Sequence, residues 1–128
     1  MTPIDVVWLF LWLFTKHAIV DFPLQGPFQY LNKGTYGHPG GILHSALHGA
    51  ATTGVLFLMF PHLAFIAMVA GLVDFVVHYH IDWAKMNINK SMGWGPTTHE
   101  QFWWLLGLDQ FLHAATYVAI VAYMVHVV

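Results

Sequence analysis

HLAFIAMVAGLVDFVVHYHIDW, residues 62 to 83, is the stretch on which the fold turns. About 20 predominantly apolar residues carry an α-helix across the ~30 Å hydrocarbon core of a bilayer. This run is long enough, yet it holds Asp74, His78 and Asp82 at intervals of four. At about 100° per residue, that interval keeps successive members on one helix face, about 40° apart. His80, about 200° from His78, faces elsewhere. The stretch therefore reads as a transmembrane helix with one polar stripe.

Working outward, three more apolar windows appear, bounded by Pro, Gly or charge. They run from about Ile4 to Phe22, Ile42 to Phe60 and His99 to Val127. A tight turn at Pro61 joins the second window to the third, and Thr97-x-x-Glu100 after Gly95-Pro96 has the pattern of a capping box opening the fourth. The first window lacks a basic leader and a small-residue cleavage site, so it reads as a span rather than a secretory signal. The expected fold is all-α: one transmembrane domain over residues 1–128, an antiparallel bundle of four helices. Composition agrees, with 58% hydrophobic and 8% charged residues against about 25% charged in soluble domains. A net charge of −2 without a basic patch excludes nucleic acid as a partner. The absence of Cys removes disulfides, thiolate metal sites and cysteine nucleophiles. With no Arg, there is no bidentate clamp for phosphate.

Positive charge collects on the cytoplasmic side of membranes. Lys33 follows the first window, Lys85 and Lys90 follow the third, and Lys16 lies toward the same end of the first. The two long connections, roughly 23 to 41 and 85 to 97, are thus expected in the cytoplasm and both termini outside it. The first connection exceeds the ~12 to 15 residues beyond which unstructured loops are uncommon. Its Phe28, Tyr30 and Tyr36 suit a lid at headgroup level.

Each window carries its own ladder: His17 and Asp21; His44 and His48; Asp74, His78 and Asp82; Asp109 and His113. In an up-down bundle, all nine fall in the cytoplasmic half. An Asp at the centre of a span costs roughly 2.5 to 3.5 kcal/mol, and four of the six acids occupy spans. Lys16 is the only lysine inside one, so lysines alone are not expected to neutralise them. A divalent metal, zinc first and manganese or iron next, as one or two ions, fits Asp21, Asp74, Asp82 and Asp109 with His17, His44, His48, His78 and His113 as ligands. A hydrogen-bonded network of His and protonated Asp is the plainer alternative. His38, His62, His99 and His126 lie in loops or at ends and read as interfacial.

The same residues carry a resemblance. His17-x-x-x-Asp21-Phe22-x-Leu24-Gln25, Lys33, His44, His78-x-x-Ile81-Asp82-Trp83-x-Lys85 and Asp109-Gln110-x-Leu112-His113 are similar to a small polytopic membrane-protein family of bacteria and phages, catalogued as a domain of unknown function. The likeness covers about residues 13 to 120. It implies membrane location, in a bacterial inner membrane, and a shared polar motif set, without an activity. It also adds Gln25, Lys33 and Lys85 to the residues of interest: Gln25 and Lys33 toward substrate, Lys85 with Asp82 in catalysis.

The leading expectation for function is metal-assisted hydrolysis of a lipid or lipid-linked bond at the cytoplasmic interface. A metal that acidifies its water and polarises the scissile group needs no Ser or Cys nucleophile, and Ser45 and Ser91 sit in no elbow or triad pattern. A metal-ion or proton transporter is the alternative, since His-x-x-x-Asp is similar to the zinc site of cation-diffusion transporters. Two further alternatives are a di-iron oxidase, weakened by the absence of HxxHH motifs, and a structural or regulatory membrane protein. The bilayer is the expected partner, with self-association through lipid-facing surface left open.

Overall fold

The computed structural model describes all 128 residues and is all-helical. Helix α1 spans Pro3–Asp21, the short α2 Pro27–Tyr30, α3 Pro39–Met59, α4 Ala64–Met92 and α5 Glu100–Val127. A 3-10 turn, Pro61–Leu63, links α3 to α4. The four long helices, that turn counted with α4, are long and apolar enough to cross a membrane.

Three boundaries differ from expectation. Helix α4 runs nine residues past Trp83, because Ala84 to Met92 contains no Gly or Pro; hydropathy marked where the apolar run ended, not where the helix did. It stops at Gly93, whose φ of 66° supplies the left-handed C-cap. Lys85 and Lys90 are therefore helical, and the second long loop shrinks to residues 93–99. Thr97 does not cap α5: the N-cap is His99, without a side-chain bond, and Glu100 is already the first helical residue. A capping box does form at the other end of the chain. There Thr2 Oγ1 accepts from Asp5 N at 3.3 Å and Thr2 N donates to the Asp5 carboxylate at 2.8 Å. Finally, the connection after α1 is shaped by α2 and by His38, which accepts from Gly40 N as the N-cap of α3.

The long helices pack as a ring. Helix α1 lies against α3 and α5, and α4 against α3 and α5; across the diagonals the backbones stay apart, and only long or polar side chains such as Lys16 and Asp74 meet. The most extensive seam, α3 on α4, depends on Gly49 facing Gly71. A Cβ on Gly49 would meet the Gly71 carbonyl and Phe75, and one on Gly71 would meet Thr53 and the Gly49 carbonyl. Small residues at such points let two helix backbones approach closely where lipid supplies no hydrophobic drive.

The interior divides into two ends. One is apolar: Leu9 and Leu13 of α1, Leu56 of α3, Ala67 and Ala70 of α4, and Tyr117, Ile120 and Met124 of α5 form one buried cluster. The other holds nearly every buried polar residue of the protein, and the segment bearing α2 closes it from outside.

Candidate metal centre

The i, i+4 ladders point inward on all four long helices. His17, His44, His48, Asp74, His78, Asp82, Asp109 and His113 are buried, and Asp21 is nearly so. They are not equivalent, however. Their hydrogen bonds divide them into three levels.

Nearest the apolar core, Asp74 binds Lys16 Nζ at 2.6 Å and accepts from Thr52 Oγ1 at 2.5 Å. Lys16 also donates to the His48 carbonyl (3.2 Å) and to His48 Nδ1 (3.3 Å), which uses all three of its protons. Its ammonium lies 4.6 Å from the centre of the Tyr117 ring. Asp74 is thus committed to an ion pair and joins no cluster of three or more metal-ligating groups.

At the middle level the two oxygens of Asp21 separate its partners. Oδ2 faces His17 Nε2 at 3.0 Å, while Oδ1 faces His48 Nε2 at 2.9 Å and His44 Nε2 at 3.2 Å. Proton bookkeeping assigns the tautomers. His17 Nε2 lies between two acceptors, Asp21 and Gln110 Oε1 (3.2 Å), so it carries the proton and Nδ1 accepts from Tyr117 OH at 2.8 Å. His48, with Lys16 on Nδ1, carries its proton on Nε2 and donates it to Asp21. Both imidazoles therefore hold Asp21 in place rather than offering a lone pair.

His44 is the reverse case. Its Nδ1 donates to Gln29 Oε1 at 3.2 Å, and Gln29 is fixed in that sense because its amide donates to the Leu24 carbonyl at 3.0 Å. The lone pair of His44 is left on Nε2. That atom faces His78 Nε2 at 3.3 Å, with a carboxylate oxygen on either side. Asp21 Oδ1 lies 3.2 Å from His44 and 3.9 Å from His78; Asp82 Oδ2 lies 3.2 Å and 3.5 Å from the same atoms. A tetrahedral ion with bonds of 2.0–2.1 Å has ligand-to-ligand edges of about 3.3 Å. These five separations bracket that value.

At the outer level Asp82 Oδ1 meets His113 Nε2 at 3.4 Å, His113 meets Asp109 Oδ1 at 3.3 Å, and Asp109 Oδ2 meets Lys85 Nζ at 3.7 Å. Lys33, carried in by the segment after α2, puts Nζ 3.1 Å from Asp82 Oδ2. Even so, Asp82 Oδ2, Asp109 Oδ1, His113 Nε2 and His78 Nδ1 are buried without a well-formed hydrogen bond. Buried polar atoms are rarely left so, and four of them in one cluster suit a site that takes an ion or water.

The premise of the sequence argument on charge is corrected here, although three lysines still leave Asp21 without one. Lysines were not expected to balance the intramembrane acids, yet Lys16, Lys33 and Lys85 each lie within 4 Å of one: Asp74, Asp82 and Asp109. Loop and helix-end lysines are long enough to reach inward, which counting lysines within spans ignored. Gln25 lies farther out; its amide donates to the Asp21 carbonyl at 2.6 Å, and its Oε1 is buried without a partner. His80 faces away, as expected from its angle, accepting from Tyr36 OH at 3.0 Å. Gln29, Thr52, Gln110 and Tyr117 escaped the sequence reading. Two of them were within reach of it, since Thr52 and Tyr117 extend the His44-His48 and Asp109-His113 ladders by one more step of four.

An all-helical chain with four span-length apolar helices and a buried His/Asp cluster belongs, by class, with proteins compatible with life inside a bilayer. Residues 9–128 match the family described as "Protein of unknown function (DUF3307)", and the chain belongs to that family. No curated protein and no solved structure matches it.

Proposed function

We propose that the chain is an integral membrane, metal-dependent hydrolase acting on a lipid or lipid-linked substrate at the cytoplasmic interface. The observation that carries this reading is the facing pair His44 Nε2 and His78 Nε2, 3.3 Å apart, flanked by Asp21 Oδ1 and Asp82 Oδ2. Alternating helix direction is supported by the order of the pairs. Passing from Lys16 to Asp21 along α1, partners rise in number on α4 (Asp74, then His78) and fall on α3 (His48, then His44). With the lysine-bearing end of the bundle (Lys33, Lys85 and Lys90) in the cytoplasm, both termini lie outside it.

The ion is one divalent cation, zinc by ligand type, held by Asp21, His44, His78 and Asp82. Charge argues against two. Lys16, Lys33 and Lys85 offset three of the four buried acids, so a single dication leaves about one surplus positive charge, while a second would bury a much larger excess in a low-dielectric interior. The remaining groups orient the ligands, as outer partners of metal sites commonly do. His17 and His48 hold Asp21, Gln29 fixes the His44 tautomer, and His113 steadies Asp82.

When bound, such an ion lowers the pKa of its water toward ~7 and acts as a Lewis acid for developing oxyanion charge. The chain supplies the rest. His113, between Asp82 and Asp109, is placed to hold or pass a proton. Lys85 and Lys33 are point charges for an anionic headgroup. The apolar end argues against transport: Leu9, Leu13, Leu56 and Met124 are fully buried there, so no polar path continues beyond the Lys16 level.

Elemental analysis of detergent-purified protein, beside a lipid-hydrolysis assay, tests the reading. One equivalent of metal is expected in the native chain and in His38→Ala, with less than a tenth of that in His78→Ala and in Asp82→Asn, since removing a ligand costs at least the ~10–100-fold that losing an outer partner does. Metal-dependent headgroup release from a fluorescent phospholipid should follow the same order. Protein without metal, or metal retained in His78→Ala, would sink it.

A further inference from the structure

Helices α4 and α5 do not close against each other along their lipid-facing side. Two cavities that share Val77 run between them, of about 470 Å³ beside the apolar end and about 450 Å³ beside the polar end. The first is lined almost wholly by apolar side chains. The second runs from Val76 to Ile88 with Leu105, Leu108 and Leu112 opposite, and its floor holds His80, Lys85 and Asp109.

The geometry points to this second groove as a binding site for one acyl chain of a lipid whose anionic phosphate headgroup sits on Lys85. Three observations select that occupant. The first is length. From Lys85 back to Val76 the groove follows about 14 Å of helix at ~1.5 Å per residue, against about 15 Å for one leaflet, half of the ~30 Å core. The second is charge. Lys85 is the lone cation of the groove and is loosely held, 3.7 Å from an Asp109 oxygen that already accepts from Gln110 at 3.1 Å. His80 is no competitor, since it donates to the Val76 carbonyl at 2.7 Å and accepts from Tyr36. The third is continuity. Asp109 lines the groove on one side and meets His113 on the other, so an occupant's phosphate would lie one residue from the group that meets Asp82.

This inference rests on the membrane placement and hydrolytic reading above, and it narrows the substrate to a phospholipid entering sideways from the inner leaflet. Native mass spectrometry of the detergent-purified chain, mixed with phosphatidylglycerol or phosphatidylcholine, tests it without requiring turnover. Phosphatidylglycerol should be retained about fivefold better, the discrimination expected of one lysine near an anionic surface. Lys85→Gln should abolish that preference. Ala84→Trp, which fills the groove, should lower retention of both lipids while leaving metal content intact. Leu43→Trp, on the exposed face of α3, should change nothing. Equal retention of the two lipids by the native chain, or a preference that survives Lys85→Gln, overturns the site. A preference that depends on Lys85 in protein lacking metal would support the groove and sink hydrolysis. A metal-bearing protein without the preference would do the reverse.

Discussion

The two ends of the bundle are built from the same four helices and solve opposite problems. At the apolar end, Leu9, Leu13, Leu56 and Met124 fill the ring by shape alone. In the bilayer proposed for this chain, lipid tails are as apolar as these side chains, so packing and not water exclusion would drive that contact. At the other end, nine ligand-type residues fill the same ring with polar contacts, most of them directed, leaving His78 Nδ1, Asp82 Oδ2, Asp109 Oδ1 and His113 Nε2 without a well-formed bond. A misplaced methyl group leaves a void; a misplaced proton leaves a charge in a low-dielectric site. The polar end should therefore fail abruptly and the apolar end gradually.

The largest break is expected at the junction of the two. Asp74→Ala leaves Lys16 buried without its carboxylate and should cost about 3–5 kcal/mol, the range for breaking a buried pair from one side. Chemical denaturation in mixed micelles would read it, and Asp74→Ala combined with Lys16→Met should recover much of the loss. On the apolar side, Leu56→Ala should cost about 2–5 kcal/mol through the cavity it opens, while elemental analysis finds metal unchanged. Loss of metal there would mean that the two ends are not separable. On the polar side, Gln29→Leu removes the acceptor that fixes the His44 tautomer and should weaken metal affinity by about 10–100-fold, measured by chelator competition. Thr52→Val deletes one of two bonds to Asp74 and should cost about 1–3 kcal/mol. His38→Ala, at the cap of α3, should cost no more than about 1 kcal/mol and leave metal content alone.

The comparison also explains what the sequence disclosed. The ladders at Asp74-His78-Asp82 and Asp109-His113 were legible because intervals of four are a property of one helix, independent of its neighbours. The pairings between helices were not. Nothing local links Lys33 to Asp82, or assigns His48 to Asp21 as a donor while His44 keeps a lone pair; those roles follow from which ring nitrogen meets Lys16 and which meets Gln29. Hydropathy likewise found the spans but misjudged the end of α4, since Ala84 to Met92 is a polar continuation of an apolar helix. Thr97-x-x-Glu100 failed as a cap because α5 begins at Glu100 itself, which puts the acid at the first helical position instead of the third, from which it could reach back to the cap. Thr2-x-x-Asp5 succeeded with a different acid.

Each lysine that offsets a buried acid precedes it in the chain: Lys16 comes before Asp74, Lys33 before Asp82, and Lys85 before Asp109. Synthesis proceeds from the N-terminus, so each of these carboxylates emerges from the ribosome after its counter-charge has already been made. On the membrane placement proposed above, none of the three has to wait unpaired in the bilayer for a later segment. Chain order thus becomes part of how so acidic an interior is delivered into lipid, and permuting the helices would keep every contact while removing that timing.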